Sequence, residues 1–265
     1  MNDVDMNNEW RVLQLRAEYL HNRCADEFEE YMHMVNCVGP NLKSLYMVEI
    51  GQYEHRVFEL KIEINRWKRR FTLRQQALNR GAKPDYCEIE KQLDKEFSDY
   101  MAQIHEKQRL LQEAASNMAI GRLSEEETTA VRISYLNAVK KLHPDINPSL
   151  PEQAKELWDR IQVAYATEDW KELHLLSSMI DDVLRSKKCL QVRGCMAEMK
   201  EEIARLNDRL NELVSVRVSL GKKTPYCWDA LLKDECAVAK CQKKLKGKIE
   251  VLENVVAEYE HKWKG

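Results

Sequence analysis

The sequence has little of the two residues that punctuate a chain. Gly (8) and Pro (6) make up about 5% of its 265 residues, against roughly 12% in average proteins. An all-β fold needs frequent turns, so this scarcity argues against one, and against Gly-rich disordered repeats. No run of about 18 apolar residues occurs, and no transmembrane helix or membrane partner is expected. Neither sign of charge dominates: 42 Lys+Arg stand against 44 Asp+Glu, a net charge of −2. No global basic field exists to capture nucleic acid, so none is expected as a partner. The eight cysteines form no Cys-x-x-Cys and the seven histidines no His-x-x-x-His. No metal ligands are therefore assigned. Gly-rich phosphate loops, nucleophile elbows and zinc-protease helices are also missing, so no catalytic residue and no cofactor is assigned, and the chain is not expected to be an enzyme. Met1 to Asn8 are polar and acidic, unlike the basic start of a signal peptide. The expected location is the cytoplasm, with free thiols.

What is present is helical periodicity. Hydrophobic residues make up 44% and charged residues 32%, a mixture suited to long helices with one buried stripe. Trp10, Leu13, Ala17, Leu20, Cys24, Phe28, Tyr31 and Val35 form a first stripe. Tyr46, Ile50, Tyr53, Val57, Leu60, Ile64, Trp67 and Phe71 form a second, with alternating steps of four and three that mark a coiled-coil seam. Ile89, Leu93, Phe97, Tyr100, Ile104, Leu111, Ala115 and Met118 form a third. The short link Gly81 to Pro84 predicts that helices over 41–79 and 85–118 fold back as an antiparallel hairpin. Near the C-terminus, Met199, Ile203, Leu206, Leu210, Leu213 and Leu220 form one stripe. Val238, Leu245, Ile249, Leu252, Val256, Tyr259 and Trp263 form another. The link Gly221 to Pro225 predicts a second hairpin, over about 187–220 and 226–263. Both links end Tyr-Cys (Tyr86, Cys87; Tyr226, Cys227), which fits an old duplication or simple convergence of short links on Gly, Lys and Pro. Gly81 and Gly221 are placed to end helices in the left-handed conformation, and each proline, Pro40 included, is expected in or beside a break.

The middle of the chain differs. Ser124 to Glu127 reads as a capping box opening a helix to about Leu142, with Val131, Tyr135, Ala138, Val139 and Leu142 on one face. His143, Pro144, Asp145, Ile146, Asn147 and Pro148 cannot continue it. Pro151 suits the first turn of the next helix, which carries Ala154, Leu157, Trp158, Ile161, Ala164 and Tyr165. A weak break at Thr167 to Asp169 precedes a further helix through Trp170, Leu173, Leu176 and Ile180. Helices 124–142 and 151–166 each have one apolar face and a short connection, so they should pair antiparallel, with His143 and Asp145 exposed at the tip.

The stretch Tyr135 to Leu142, then His143-Pro144-Asp145, then Leu157 to Tyr165, resembles a J-domain, the DnaJ-like module. Gly39 to Leu42, Leu78 to Asp85 and Ile89 to Phe97 resemble bacterial coiled-coil proteins that carry such a domain. The resemblance implies that His143, Pro144 and Asp145, with Lys140, Lys141 and Arg132 on the preceding helix, contact a DnaK-type chaperone and stimulate its ATPase. A carboxylate such as Asp145 suits an arginine on a partner. The chain departs from the pattern in four places. No Tyr-x-x-Leu-Gly helix precedes Ser124, although Leu110 to Met118 could stand in. Ile146 stands where lysine is frequent. No Gly/Phe linker follows, and no zinc module exists.

The expected architecture is all-α, with long antiparallel coiled-coil hairpins flanking a small J-domain-like unit. The segments are 1–121 (N-terminal helix plus hairpin), 122–185 (J-like unit) and 186–265 (C-terminal hairpin). The expected function is a DnaJ-like co-chaperone whose coiled coils bind a client, a partner protein or a second copy as a homodimer. The alternative is a non-enzymatic coiled-coil scaffold with a degenerate J-like unit. The basic words Arg66 to Arg70 and Lys243 to Lys246 read as solvated helix faces rather than phosphate sites. Tyr46, Tyr53, Trp67 and Phe71 read as seam residues rather than a client-binding stripe.

Overall fold

The computed structural model describes residues 3–119, 125–185 and 195–264, and among them there is no strand. In chain order the elements are α1 (Asp3–His33), a π-helical turn (Met34–Val38), α2 (Gly39–Tyr46), a second π-helical turn (Met47–Gly51), α3 (Gln52–Asn79), α4 (Tyr86–Ala119), α5 (Glu125–Leu142), α6 (Glu152–Ala166), α7 (Trp170–Arg185) and α8 (Met196–Gly221). A 3-10 turn (Tyr226–Trp228), α9 (Asp229–Lys233) and α10 (Glu235–Lys264) complete the chain. The all-α class read from composition and periodicity is what the chain adopts. Ser124 of the expected capping box, Cys189 and the start of the expected helix at 187 lie outside the described residues.

The chain forms two compact units, each assembled from two separated segments: residues 1–40 with 122–227, and residues 41–121 with 228–265. This differs from the division at 121 and 185 expected from chain order. Helices pair wherever their apolar stripes match, and the stripe of α1 matches α8, while that of α3 matches α10.

In the first unit, one core gathers Leu20, Cys24 and Phe28 of α1, Tyr135, Val139 and Leu142 of α5, Trp158, Ile161 and Tyr165 of α6, Leu173, Leu176 and Ile180 of α7, and Leu206 and Leu213 of α8. The antiparallel α5–α6 pair forms as its apolar faces require. The Tyr135 and Tyr165 rings stack at 3.9 Å, and burial pushes both phenols above their usual pKa. The helix that completes this core is α1, rather than the Leu110 to Met118 segment suggested by the sequence. Asp169 Oδ1 caps α7 by accepting from Glu172 N–H at 3.0 Å.

In the second unit, α3 is central. Its seam residues Leu60 and Ile64 pack with Val256, Leu252, Ile249 and Tyr259 of α10. A second face, Phe58, Ile62 and Leu73, packs with Ile89, Leu93, Phe97 and Ile104 of α4. The expected α3–α4 hairpin is present. The 187–220/226–263 hairpin is replaced by α8 on α1 and α10 on α3. Of the four aromatic seam positions, Tyr46 stacks on Trp228 at 4.0 Å, Tyr53 lies under Lys246, and Trp67 and Phe71 meet Trp263.

The links and turns explain two further differences. Gly81 does close α3 in the left-handed region, at φ 72°. Gly221 is instead the last residue of α8, and Lys222 after it is right-handed, at φ −87° and ψ −12°. Pro40 sits inside α2 rather than in a break. A proline lacks the N–H of the helical ladder and crowds the preceding turn. The widened turn just before it, with Gly39 N–H bonded to Met34 O, absorbs that mismatch.

Candidate functional site

The turn after α5 is built from its own residues. His143 N–H continues the helix to Val139 O at 3.1 Å, and His143 O accepts from Ile146 N–H (3.1 Å) and Asn147 N–H (2.8 Å). Asn147 Nδ2 donates to Lys140 O at 2.9 Å. Asp145 N–H donates to His143 Nδ1 at 3.1 Å. Proline fixes the bend, and these bonds lock it.

The turn is not a free tip. The expectation of an exposed His143 is overturned: its relative exposure is 6%. The ring sits edge-on between Phe28 of α1, at 4.2 Å between centroids, and Trp158 of α6, at 5.2 Å. Burial pushes its pKa down to about 4; Asp145 opposes the shift and Arg209 adds to it. The reason lies outside the hairpin. α1 crosses the turn, and its His21 Nε2 lies 3.2 Å from Asn147 Oδ1. Ile146, the departure from the lysine frequent in J-domains, is a buried core residue in contact with this assembly.

Pro144 and Asp145 are exposed. Asp145 Oδ2 pairs with Arg209 of α8 at 2.5 Å, and Arg205 of α8 donates to Asp145 O.

The expected basic face of α5 is engaged in the same way. Arg132 grips Glu29 with two bonds of 2.8 Å and Glu30 with one of 2.6 Å. Lys140 lies 3.5 Å from Asp26, and Lys141 lies 2.7 Å from Asp181 of α7. Five of the six residues expected at the partner interface thus have polar or ionic partners in α1, α7, α8 or their own turn; the sixth is Pro144, which has no N–H to donate. Arg132 and Lys140 face α1, whereas Lys141, nine residues after Arg132 and so on the opposite side of α5, faces α7, and Pro144 and Asp145 stay exposed on the turn.

Sequence reasoning missed the covering residues: Phe28, Asp26, Glu29 and Glu30 on α1, and Arg205 and Arg209 on α8. Two signals were there. Asp26, Glu27, Glu29 and Glu30 flank Phe28, a residue of the apolar stripe of α1, and Glu27 and Glu29 prove to be buried. Arg205 and Arg209, four residues apart, share a helix face.

Other candidates resolve into structure. Arg66 bonds Glu90 and Asp94, Arg69 bonds Glu96, and Arg70 bonds Glu90, so this basic word ties α3 to α4 while staying partly open to water, with Lys68 exposed. A hollow of about 380 Å³ beside α6 and α7 includes Asp159, Val163 and Thr167 in its wall. Two of its four charged residues, Arg160 and Glu172, pair with each other at 2.7 Å. Among the described residues no group of three or more His, Cys, Asp and Glu could hold a metal ion, the cysteines are free thiols, and no helix is long and apolar enough to cross a membrane. Comparison with family models, with curated proteins and with solved structures found no match.

Proposed function

We propose that this chain is a non-enzymatic, cytoplasmic interaction protein with a J-domain-like unit, held closed by its own helices. The observation that supports this reading is the engagement of His143, Asp145, Lys140, Lys141 and Arg132 within the chain. In this form the His143-Pro144-Asp145 turn serves as a dock for α1 and α8, and binding of a partner protein or a second copy falls to the remaining helix faces. The test is single-turnover ATP hydrolysis by the DnaK-type chaperone of the same organism, with and without the purified chain. The expected result is an unchanged rate. Acceleration by the chain as isolated would overturn the closed reading and restore a constitutive co-chaperone. One observation favours that second reading: Pro144 and Asp145 remain exposed on the turn.

A further inference from the structure

α1 carries two apolar stripes. The first, Leu13, Ala17, Leu20 and Cys24, is used within the chain, and Leu20 and Cys24 are buried in one core with Leu206 and Leu213 of α8. The second is Val12, Leu15 and Tyr19, with steps of three and four. At about 100° per residue it lies on the opposite side of α1 from the first. Its side chains are 64%, 58% and 54% exposed. Exposed apolar residues standing singly need no explanation, but three on successive turns of one face form a patch. The patch is short: Asn8 and Asn22, seven residues either side of Leu15, take the next positions along the stripe.

The edge of the stripe is charged in a self-complementary way. Arg11 and Glu18, also seven residues apart, lie along the same edge. Neither side chain has an ionic partner among the described residues. On the other edge, Arg16 lies 5.7 Å from the centre of its own Tyr19 ring.

We propose that this face binds a second copy of the chain, with the two α1 helices antiparallel about a two-fold axis near Leu15. In such a pair residues on the same edge meet, so Arg11 of each copy faces Glu18 of the other and the ion pair forms twice. Val12 of each copy falls opposite Tyr19 of the other, with Leu15 at the centre. A parallel pair would set Arg11 against Arg16 twice. The antiparallel pair has one like-charged meeting, Arg16 with Arg16, where each guanidinium is held on its own Tyr19 ring. This inference rests on the interaction reading above, in which binding falls to the helix faces left free, and it names the face and the partner.

The test is sedimentation equilibrium of the full chain over a concentration series. The forms compared are wild type, Leu15→Glu, Arg11→Glu, Glu18→Arg, and Arg11→Glu combined with Glu18→Arg. Circular dichroism establishes that each is as helical as wild type; the charge variants carry the test if Leu15→Glu is not. The expected result is a concentration-dependent dimer for wild type and a monomer for Leu15→Glu. Each single reversal should weaken the dimer several-fold, and the double reversal should bring it back near wild type, because the pair is then re-formed with its signs exchanged. A wild type that stays monomeric throughout would overturn a second copy as the occupant and leave the face to a different protein. A dimer untouched by Leu15→Glu would overturn this face as the contact. A double reversal no better than the single ones would overturn the antiparallel arrangement. The closed turn is tested separately by the chaperone's ATPase rate, so its failure and the failure of the dimer are told apart.

Discussion

Asp145 N–H donates to His143 Nδ1, so the neutral ring carries its own proton on Nε2, and protonating Nδ1 breaks the bond. The sign of the pH effect follows. With a folded pKa of about 4, well below the unfolded value of roughly 6.5, the unfolded chain binds a proton that the folded chain refuses. Stability from this group is complete above about pH 6.5 and is lost as pH falls towards 4, to a total of about 3 kcal/mol. His143→Gln at neutral pH should cost about 1–3 kcal/mol, because a buried acceptor and two ring contacts go. That is more than the half kcal/mol expected of an exposed tip. Urea unfolding of wild type and variant at several pH values checks both numbers: the gap between them should narrow on acidification. A gap that stays constant from pH 7 to 4.5 would mean that His143 titrates normally. Ile161 is fully buried, and Ile161→Ala should cost about 2–5 kcal/mol in the same assay.

At the scale of single elements, two backbone positions should respond in opposite directions. Glu168, between α6 and α7, holds φ at 56°, where a side chain with a Cβ is strained and glycine is not. Glu168→Gly should raise stability by about 0.5–1 kcal/mol in thermal unfolding, and a loss would show that its side chain contributes more than the strain it carries. Gly39 is the reverse case. A Cβ there would stand 2.7 Å from Tyr226 Oη and 3.2 Å from Met34 O. The same hydroxyl donates to Met34 O at 2.9 Å. Gly39→Ala should therefore destabilise the first unit, and Gly39→Ala with Tyr226→Phe, which removes the clashing oxygen, should recover part of the loss. Equal stability of the single and double variants would place the strain elsewhere.

For the whole molecule the decisive feature is that each compact unit has its own core and draws on two separated stretches of chain. Native-state hydrogen exchange should report this directly. Ile161→Ala should speed exchange in 3–33 and 196–221 as well as in α5 to α7, because these segments share one core. Leu60→Ala should instead speed exchange in α3 and α10. If each substitution loosened only its neighbours in sequence, the pairing of α1 with α8 and of α3 with α10 would be wrong.

Although the helix expected over 226–263 is instead a 3-10 turn, α9 and α10, the sequence by itself determined the class of fold, the approximate positions of the other helices and the α5–α6 hairpin. These follow from local facts: few Gly and Pro, one apolar stripe per helix, a turn that proline forces and a connection too short for any other packing. The resemblance to a J-domain, rather than these facts, singled out His143, Asp145 and the basic face of α5. The local facts did not determine which stripe meets which. The heptad seam from Tyr46 to Phe71 is legible as a seam, but nothing in it says that α10, far along the chain, is the partner; any helix with a matching stripe satisfies the same pattern. Only the tertiary structure decided that α1 crosses the turn, that Phe28 and Trp158 take His143 out of water, and that Arg209 meets Asp145. Exposure is a property of what packs on top, and the covering groups come from 60 or more positions away on α8 and more than 100 on α1. Ile146 was the single residue of the turn whose type already leaned that way, since an isoleucine in a polar loop loses by facing water and gains by being covered.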